Sequence, residues 1–310
     1  MVGVVGTALA FILGELGRYD WQLELLSHFA VQYAIALGVA SAYFLIRGRG
    51  LLFVIATLAV LMPAWRLAAY VPIWDAPTHA TSGTQRLRVM TINVRASNAR
   101  YDDVRAEIER VDPDVVFLPE NTDLWAAGLA PLRERYPYVI DGKSASVFSL
   151  FLFSRLPLSD AAIIQLPQPG GFPAIVARAC REGADNDMTC VRIIGIHPPP
   201  PIAAEWAKKR DAVFSALPAL IASPDADRTI VLGDLNCTPW SPLFRDLMTA
   251  TGLRSTAAGI DLSPTWYSRW LPFGLMIDHI LVGTAITVQG HDVGGEVGSD
   301  HFPVVADLAF

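Results

Sequence analysis

Six short apolar runs in this chain are each bounded or interrupted by a residue that can ligate a hard cation or move a proton. Asn93 closes residues 87–92, Glu120 follows 114–118, and His197 follows 190–196. Asp234 and Asn236 follow 229–232 through Gly233. Asp278, with His279, interrupts 275–281, and the pair Asp300-His301 precedes 302–306. Any one of these is ordinary turn chemistry, because Asn and Asp end strands and start turns. Six together are harder to assign to turns, since strand ends are where loops converge into a site in α/β folds. The oxygen donors Glu120, Asn93 and Asp300 suit Mg²⁺ or Mn²⁺. An imidazole beside a carboxylate moves protons near neutral pH. Together they make a kit for metal-assisted attack of water on a phosphate ester.

The elements that position these residues follow from hydropathy period. Residues 87–94, 114–118, 148–153, 229–232, 275–282 and 304–308 are β-branched or apolar runs of strand length. Residues 101–111 have helical spacing, with Val104, Ile108 and Val111 on one face. Asn121 is expected to cap a helix running to Arg135, and residues 202–221 and 242–249 are the other helices. Residues 175–180 and 189–196 flank a polar turn and predict a hairpin. Strands and helices interleaved over about three-quarters of the chain predict one α/β domain.

The N-terminal part reads differently. The chain has 310 residues, of which 52% are hydrophobic and only 17% charged, against ~25% charged for an average soluble domain. Its mean hydropathy is +0.37, and the excess sits in residues 1–75. Residues 29–46 are apolar apart from Gln32 and long enough to span a bilayer, which takes about 20 residues. Residues 51–74 qualify if Arg66 reaches the interface or faces protein. Residues 2–14 are short and form the weakest span. No Lys or Arg precedes Arg18, which argues against a signal peptide. Two or three transmembrane helices are therefore expected in residues 1–75, followed by a short polar linker at 76–85 and the α/β domain at 86–310. Arg47 and Arg49 form the densest basic cluster near the spans. The positive-inside rule puts them in the cytoplasm and residues 86–310 on the periplasmic or extracellular side of the cell membrane. Trp65, Tyr70 and Trp74 are expected in an interfacial aromatic belt.

Charge and cysteines narrow the class further. The net charge is −6, and the four basic and four acidic residues of 1–75 cancel, so all of it lies on the rest of the chain. That disfavours long polyanions such as DNA, whose affinity rests on basic contacts to phosphate. The three cysteines make no CxxC zinc pair. Cys180 and Cys190, at opposite ends of the expected hairpin, are a candidate disulfide in an oxidising compartment.

The chemistry-bearing residues also carry a family resemblance. Thr91-Ile-Asn93, Pro119-Glu120, His197, Gly233-Asp-Leu-Asn236, Ile277-Asp278-His-Ile280 and Gly298-Ser-Asp-His301 resemble the ordered motifs of the endonuclease/exonuclease/phosphatase superfamily. The likeness covers residues 86–310. It implies the DNase I-like fold, a four-layer α/β sandwich with its site at one edge, here preceded by a transmembrane helical anchor. It also implies roles. Glu120 resembles the principal metal ligand with Asn93 beside it, and Asp300 a second metal-site carboxylate. Asp234 resembles the residue that orients or deprotonates the attacking water, and Asn236 the carboxamide that positions phosphate and water. His301, buttressed by Asp278, and His197 resemble the two histidines at the phosphate. Two departures stand out: Pro119 replaces a Gln common in the family, and His197 runs into Pro198 to Pro201. That proline run either shapes the entrance to the site or is a rigid connector.

With its membrane segment, the chain resembles a bacterial membrane-bound subgroup that includes the VanJ-type teicoplanin-resistance proteins. That likeness implies a lipid-linked phosphate or pyrophosphate substrate such as undecaprenyl pyrophosphate. Arg210 and Trp240 are candidate substrate contacts, the alternatives being a solvated helix face for Arg210 and packing beneath the sheets for Trp240. The aromatics of residues 266–273 either touch lipid or pack beneath the sheets. The expected function is a membrane-anchored, Mg²⁺- or Mn²⁺-dependent phosphoester hydrolase. The alternatives are an extracytoplasmic nuclease or phosphodiesterase and a non-catalytic binding module.

Overall fold

The structure is a computed structural model that describes residues 1–72, 85–142, 148–166, 171–183 and 188–310. Most of the expected 76–85 linker, Trp74 and part of the 181–188 turn lie outside the described residues.

Two six-stranded sheets form the body of the molecule. The first has the order β11 (Thr287–Val293), β12 (Val304–Ala309), β1 (Arg86–Thr91), β2 (Val115–Pro119), β4 (Leu150–Ser154), β3 (Tyr138–Gly142). The second runs β5 (Leu158–Leu166), β6 (Phe172–Glu182), β7 (Met188–Ile196), β8 (Thr229–Asp234), β10 (Asp278–Val282), β9 (Arg254–Ser255). Both are mixed: β1–β2 and β7–β8 are parallel, and their other neighbours antiparallel. The central strands are buried on both faces, so they read as continuous apolar runs.

Three apolar layers follow from these faces. Leu87, Val89, Phe117 and Leu152 of the first sheet meet Ile175, Ile193, Leu232 and Ile280 of the second. The outer face of the first sheet packs on α5 (Tyr101–Val111) and α6 (Asp123–Gly128) through Met90, Val104, Ile108 and Trp125. The outer face of the second packs on α7 (Ala204–Ile221) and α8 (Pro242–Thr251) through Ile194, Phe214, Leu217 and Phe244. The result is a helix–sheet–sheet–helix sandwich.

Local chemistry sets the helix limits. Asp102 and Asp103 sit in the first turn of α5 and Arg110 in its last, as the helix dipole favours. Ser241 caps α8 by accepting from the Leu243 N–H, with Pro242 in its first turn and Gly252 left-handed at its end. The helix expected from Asn121 to Arg135 is instead two short pieces. α6 starts after Thr122 and gives way at Ala130 to a 3₁₀ turn with Pro131 near its start. Pro131 cannot donate to a continuing helix.

The N-terminal segment holds α1 (Val2–Gly14), α2 (Trp21–Ser27), α3 (Ala30–Ile46) and α4 (Gly50–Leu67). Residues 50–70 form one stretch long and apolar enough to cross a membrane. α2 and α3, bent by 57°, form a second candidate as a broken span, and α1 is shorter. Arg66, the charge inside the third apolar run, donates to Glu15 Oε2 at 2.7 Å, and Ser41 and Thr57 hydrogen-bond between α3 and α4 at 2.7 Å. Tyr70 does not join an exposed belt. It is buried edge-on against Trp240, while Trp65 is exposed.

This segment is packed onto the sandwich. α2 starts at Asp20, whose carboxylate accepts from the Gln22 and Leu23 N–H groups. Its Glu24 is fully buried and pairs with Arg210 of α7, Nη1 to Oε2 at 3.0 Å. Glu24 Oε1 also accepts from Ser241 Oγ at 2.6 Å. His28 Nδ1 lies 2.9 Å from Thr238 Oγ1, and the His28 carbonyl accepts from Trp240 Nε1 at 2.9 Å.

Candidate active site

The six strand-end residues meet at one edge of the sandwich. In the β8–β10 register Asp234 stands directly opposite Asp278, so two carboxylates close adjacent strands. Gly233 makes the approach possible. Its φ is +138°, and a Cβ there would lie 2.0 Å from the Ile196 carbonyl oxygen. The chain then turns with Asn236 in the left-handed region (φ 48°), and Glu120 is left-handed after β2 (φ 60°). Such conformations cost about 1–3 kcal/mol each and persist where the surroundings enforce them.

Asn93 ties the carboxylates together. Its Nδ2 donates to Glu120 Oε1 and to Asp234 Oδ2, both at 3.0 Å. Its Oδ1 accepts from the Arg95 N–H, which fixes the orientation of the amide. Asn93 therefore bridges Glu120 and Asp234 here and does not turn its oxygen toward them, as the expected ligand role requires. Glu120 Oε2 accepts from the Ala96 N–H, and Asp234 Oδ1 from the Asn236 N–H. Asn236 Nδ2 donates to the Pro198 carbonyl at 3.0 Å.

The two histidines flank Asp234. His197 Nε2 lies 3.5 Å and His301 Nε2 3.7 Å from Asp234 Oδ2. His301 Nδ1 lies 2.9 Å from Asp278 Oδ2, which also accepts from Thr265 Oγ1 at 2.7 Å. Burial disfavours a charged His301, but Asp278 and Asp234 outweigh it and push its pKa up to about 9. Burial likewise opposes ionisation of Asp234, yet His301 and His197 bring its pKa down to about 2. Burial raises Asp278. At neutral pH the imidazolium of His301 therefore faces an ionised Asp234. His279 points away, with Nε2 2.8 Å from the Cys237 carbonyl, and burial lowers its pKa to about 4.

This donor set fits a hard divalent cation. Carboxylate oxygens of Asp234 and Asp278 and a ring nitrogen of His301 lie within 4.8 Å of one another, with the carboxylates as the ligands and the imidazolium as their neighbour, and Glu120 Oε1 and Asp234 Oδ2 converge on a single amide nitrogen. Asp278 Oδ1 is buried without a hydrogen-bond partner. Three carboxylates around one imidazolium leave excess negative charge at a desolvated edge, which a divalent cation would offset.

Residues 90–301 match the Endonuclease/Exonuclease/phosphatase family. The chain belongs to that family. Its members are phosphoester hydrolases, generally dependent on a divalent metal, and the sandwich described above is their DNase I-like fold. Among solved structures, the chain is similar to an endonuclease/exonuclease/phosphatase from Beutenbergia cavernae, at 20% identity and TM-score 0.58, over 73% of this chain and 72% of that one. It is similar to D. rerio TDP2 complexed with single-strand DNA product, at 15% identity and TM-score 0.57, over 72% and 99%. It is also similar to the 3′ phosphatase NExo from Neisseria bound to a product DNA hairpin, at 18% identity and TM-score 0.55, over 71% and 98%. These likenesses are to the fold. No curated protein sequence matches the chain.

Within the family frame, two expected substrate contacts, Arg210 and Trp240, stand elsewhere, while Asp300 stays beside His301. Arg210 is fully buried, with its guanidinium committed to Glu24 and Asp211, so it cannot meet a phosphate. Trp240 is buried against Tyr70 and bonded to the His28 carbonyl, and packs in the interface with the N-terminal helices. Asp300 faces Arg95, Oδ1 to Nε at 3.7 Å. Of the aromatics of 266–273, Trp266 is half-buried beside His301, and the other three do not pack beneath the sheets. Tyr267, Trp270 and Phe273 are 70%, 78% and 70% exposed. Cys180 and Cys190 are joined in a disulfide and stand opposite each other in the β6–β7 register.

Two other site residues were not singled out in the sequence. Thr265 accepts from the Ile277 and Asp278 N–H groups while donating to Asp278. Ser299 donates to the Asn93 carbonyl and accepts from the His301 N–H. Ser299 lies inside the SDH motif and could have been found there; Thr265 sits in a run with no recognisable pattern.

Beside the carboxylates opens a cavity of about 550 Å³, lined by Glu120, His197, Asp234, Asn236 and His301 at one end. Apart from His28, the rest of its wall is apolar, Phe148, Pro201, Ile202, Trp206, Leu275 and Ile277 among it. The proline run thus shapes the mouth of the site, with Pro200 and Pro201 in the wall.

Proposed function

We infer that this chain is a membrane-anchored, divalent-metal-dependent phosphoester hydrolase, with residues 1–75 as anchor and 86–310 as an extracytoplasmic catalytic domain. Its substrate is a lipid-linked phosphate or pyrophosphate of the undecaprenyl pyrophosphate kind. The observation that carries this reading is the apolar cleft that runs directly into the carboxylate–imidazole cluster. A polyanion needs basic walls, whereas this cleft offers hydrocarbon surface with a few convergent polar groups at one end.

Three further features support it. The exposed aromatics Tyr267, Trp270 and Phe273 sit on a loop tied to α3, where Gln32 Nε2 donates to the Pro272 carbonyl at 2.8 Å. Exposed aromatic clusters of this kind favour the membrane interface. The Cys180–Cys190 disulfide suits an oxidising compartment. Arg47 and Arg49 favour a cytoplasmic turn between α3 and α4.

In this reading Glu120 and Asp234, with Asp278 as their neighbour, would hold the cation, Mg²⁺ or Mn²⁺. The bound cation supplies Lewis-acid polarisation of a phosphoryl oxygen. Asp234, ionised down to about pH 2, is too weak a base to carry a proton at neutral pH; it accepts a hydrogen bond from water and orients it. The His301 imidazolium, held by Asp278, donates to the phosphoryl group as charge develops on its oxygens. His197 lies across Asp234 from it, placed to donate to the same group or to the leaving oxygen. Asn236, with one N–H on Pro198, keeps its second N–H for the phosphate.

The test is phosphate release from undecaprenyl pyrophosphate by detergent-solubilised protein with Mg²⁺. Glu120→Gln and Asp234→Asn should each lower the rate at least about 10²-fold. The nuclease reading rests on the DNA-bound relatives of the same fold. Cleavage of DNA with no lipid turnover would establish it in place of ours.

A further inference from the structure

The cleft is not built by the catalytic domain alone. Leu25 and Phe29, from α2 and from the bend that joins it to α3, line it together with Pro201 and Ile202, and His28 lies between them in the chain. These residues are fixed in place. His28 Nδ1 faces Thr238 Oγ1 at 2.9 Å, and the buried Glu24 carboxylate holds both Arg210 and Ser241. The segment so gripped, residues 237–241, directly follows Asn236. The polar end of the cavity and its anchor-built wall are therefore one rigid unit. α3 begins at Ala30, immediately after Phe29. The wall thus stands where the apolar helix pair begins, and the far rim, Ile202, is 75% exposed. At about 550 Å³ the cavity is of small-molecule size, within roughly 300–1,000 Å³.

We propose that the anchor is part of the substrate site: Leu25 and Phe29 form a subsite for the hydrocarbon tail next to the phosphate, making these two residues determinants of tail length. The inference rests on the lipid-phosphate reading above and deepens it. The occupant is the substrate's own chain because the apolar wall is continuous with Asp234, Asn236 and His301. A tail seated there leaves its phosphate at the carboxylates and its remaining length free to pass along the exposed Tyr267–Phe273 face toward the bilayer.

The experiment compares farnesyl pyrophosphate with isopentenyl pyrophosphate, a long tail against a short one that offers far less apolar surface to Leu25 and Phe29. It uses the full-length protein in detergent with Mg²⁺. Wild type should prefer the long tail in kcat/KM. Phe29→Ala and Leu25→Ala should each lower that preference about tenfold, the scale of lost apolar contact in a pocket, mainly through KM. Ile202→Ser, on the exposed rim where folding is not at stake, should act in the same direction. A binding readout removes chemistry from the test. In EDTA, a photoactivatable farnesyl phosphate analogue should label the peptide containing residues 25–29, and labelling should fall in Phe29→Ala.

Unchanged tail preference in all three variants, with labelling elsewhere, would overturn the subsite while leaving the hydrolase reading intact. Absence of any tail preference in wild type, despite turnover of both compounds, would overturn it as well. Turnover of neither compound would remove the lipid-phosphate reading and the subsite with it.

Discussion

The ion pair between Glu24 and Arg210 gives the sharpest energetic prediction, because both side chains are 0% exposed. Removing one member of a buried pair leaves the other charge uncompensated, at a cost of about 3–5 kcal/mol. The surroundings refine that figure. Arg210→Met leaves Glu24 ionised beside Ser241 Oγ at 2.6 Å and His28 Nε2 at 3.2 Å, so the loss should fall near the lower bound, about 3 kcal/mol. Glu24→Gln leaves Arg210 its bonds to the half-exposed Asp211 and should cost about 2–3 kcal/mol. The double variant has no buried charge to strand and keeps the Ser241 contact. Its cost should be about 2–3 kcal/mol, giving a coupling of about 3 kcal/mol. The assay is denaturant unfolding of the detergent-solubilised chain in a double-mutant cycle, with amide exchange of residues 237–241 as local probe. Exchange there should quicken in both single variants. Additive losses, or a cost below about 1 kcal/mol for Arg210→Met, would refute the claim that this pair locks the anchor onto the catalytic domain.

Three other outcomes follow from the same geometry. In metal-free protein His301 has a pKa of about 9, above its ordinary value of 6.5; its charged form therefore stabilises the fold fully below pH 6.5 and loses that contribution as pH rises through about 9. Asp278→Asn should pull this transition down, as imidazole NMR would show, and lower kcat at least about 10²-fold. Gly233→Ala should destabilise by about 3 kcal/mol or more, read by chemical unfolding, because its Cβ would meet the Ile196 carbonyl at 2.0 Å in a backbone region closed to alanine. For topology, a membrane-impermeant maleimide on intact cells should label Leu124→Cys, on the exposed face of α6, and spare Arg49→Cys; the reverse pattern would place the catalytic domain inside.

Much of this site is legible in the sequence because it sits at strand ends. Asn93, Glu120, His197, Asp234, Asp278 and His301 each follow or precede a buried run, so the change from apolar to polar marks them before any fold is known. β5 and β11 were not legible. They lie toward the sheet margins with mostly exposed or half-exposed side chains, and so lack the apolar signal that reveals β2 or β8. Arg210 and Trp240 show the opposite limit. A basic residue on a helix and an aromatic beside Asn236 both look like substrate contacts until Glu24 and His28, some 200 residues earlier in the chain, are seen against them. Local pattern cannot encode that docking. The same distance hid the roles of Leu25 and Phe29, which in sequence are only the polar-to-apolar border of a span.

One site, fed from the membrane, is proposed to hydrolyse a lipid phosphoester. The most direct test reconstitutes the full chain in vesicles carrying undecaprenyl pyrophosphate, with single-stranded DNA in the same outer solution and Mg²⁺ present. Phosphate should be released from the lipid while the DNA stays intact, and Asp234→Asn should abolish release. DNA degraded in an Asp234-dependent way, with the lipid untouched, would contradict the account.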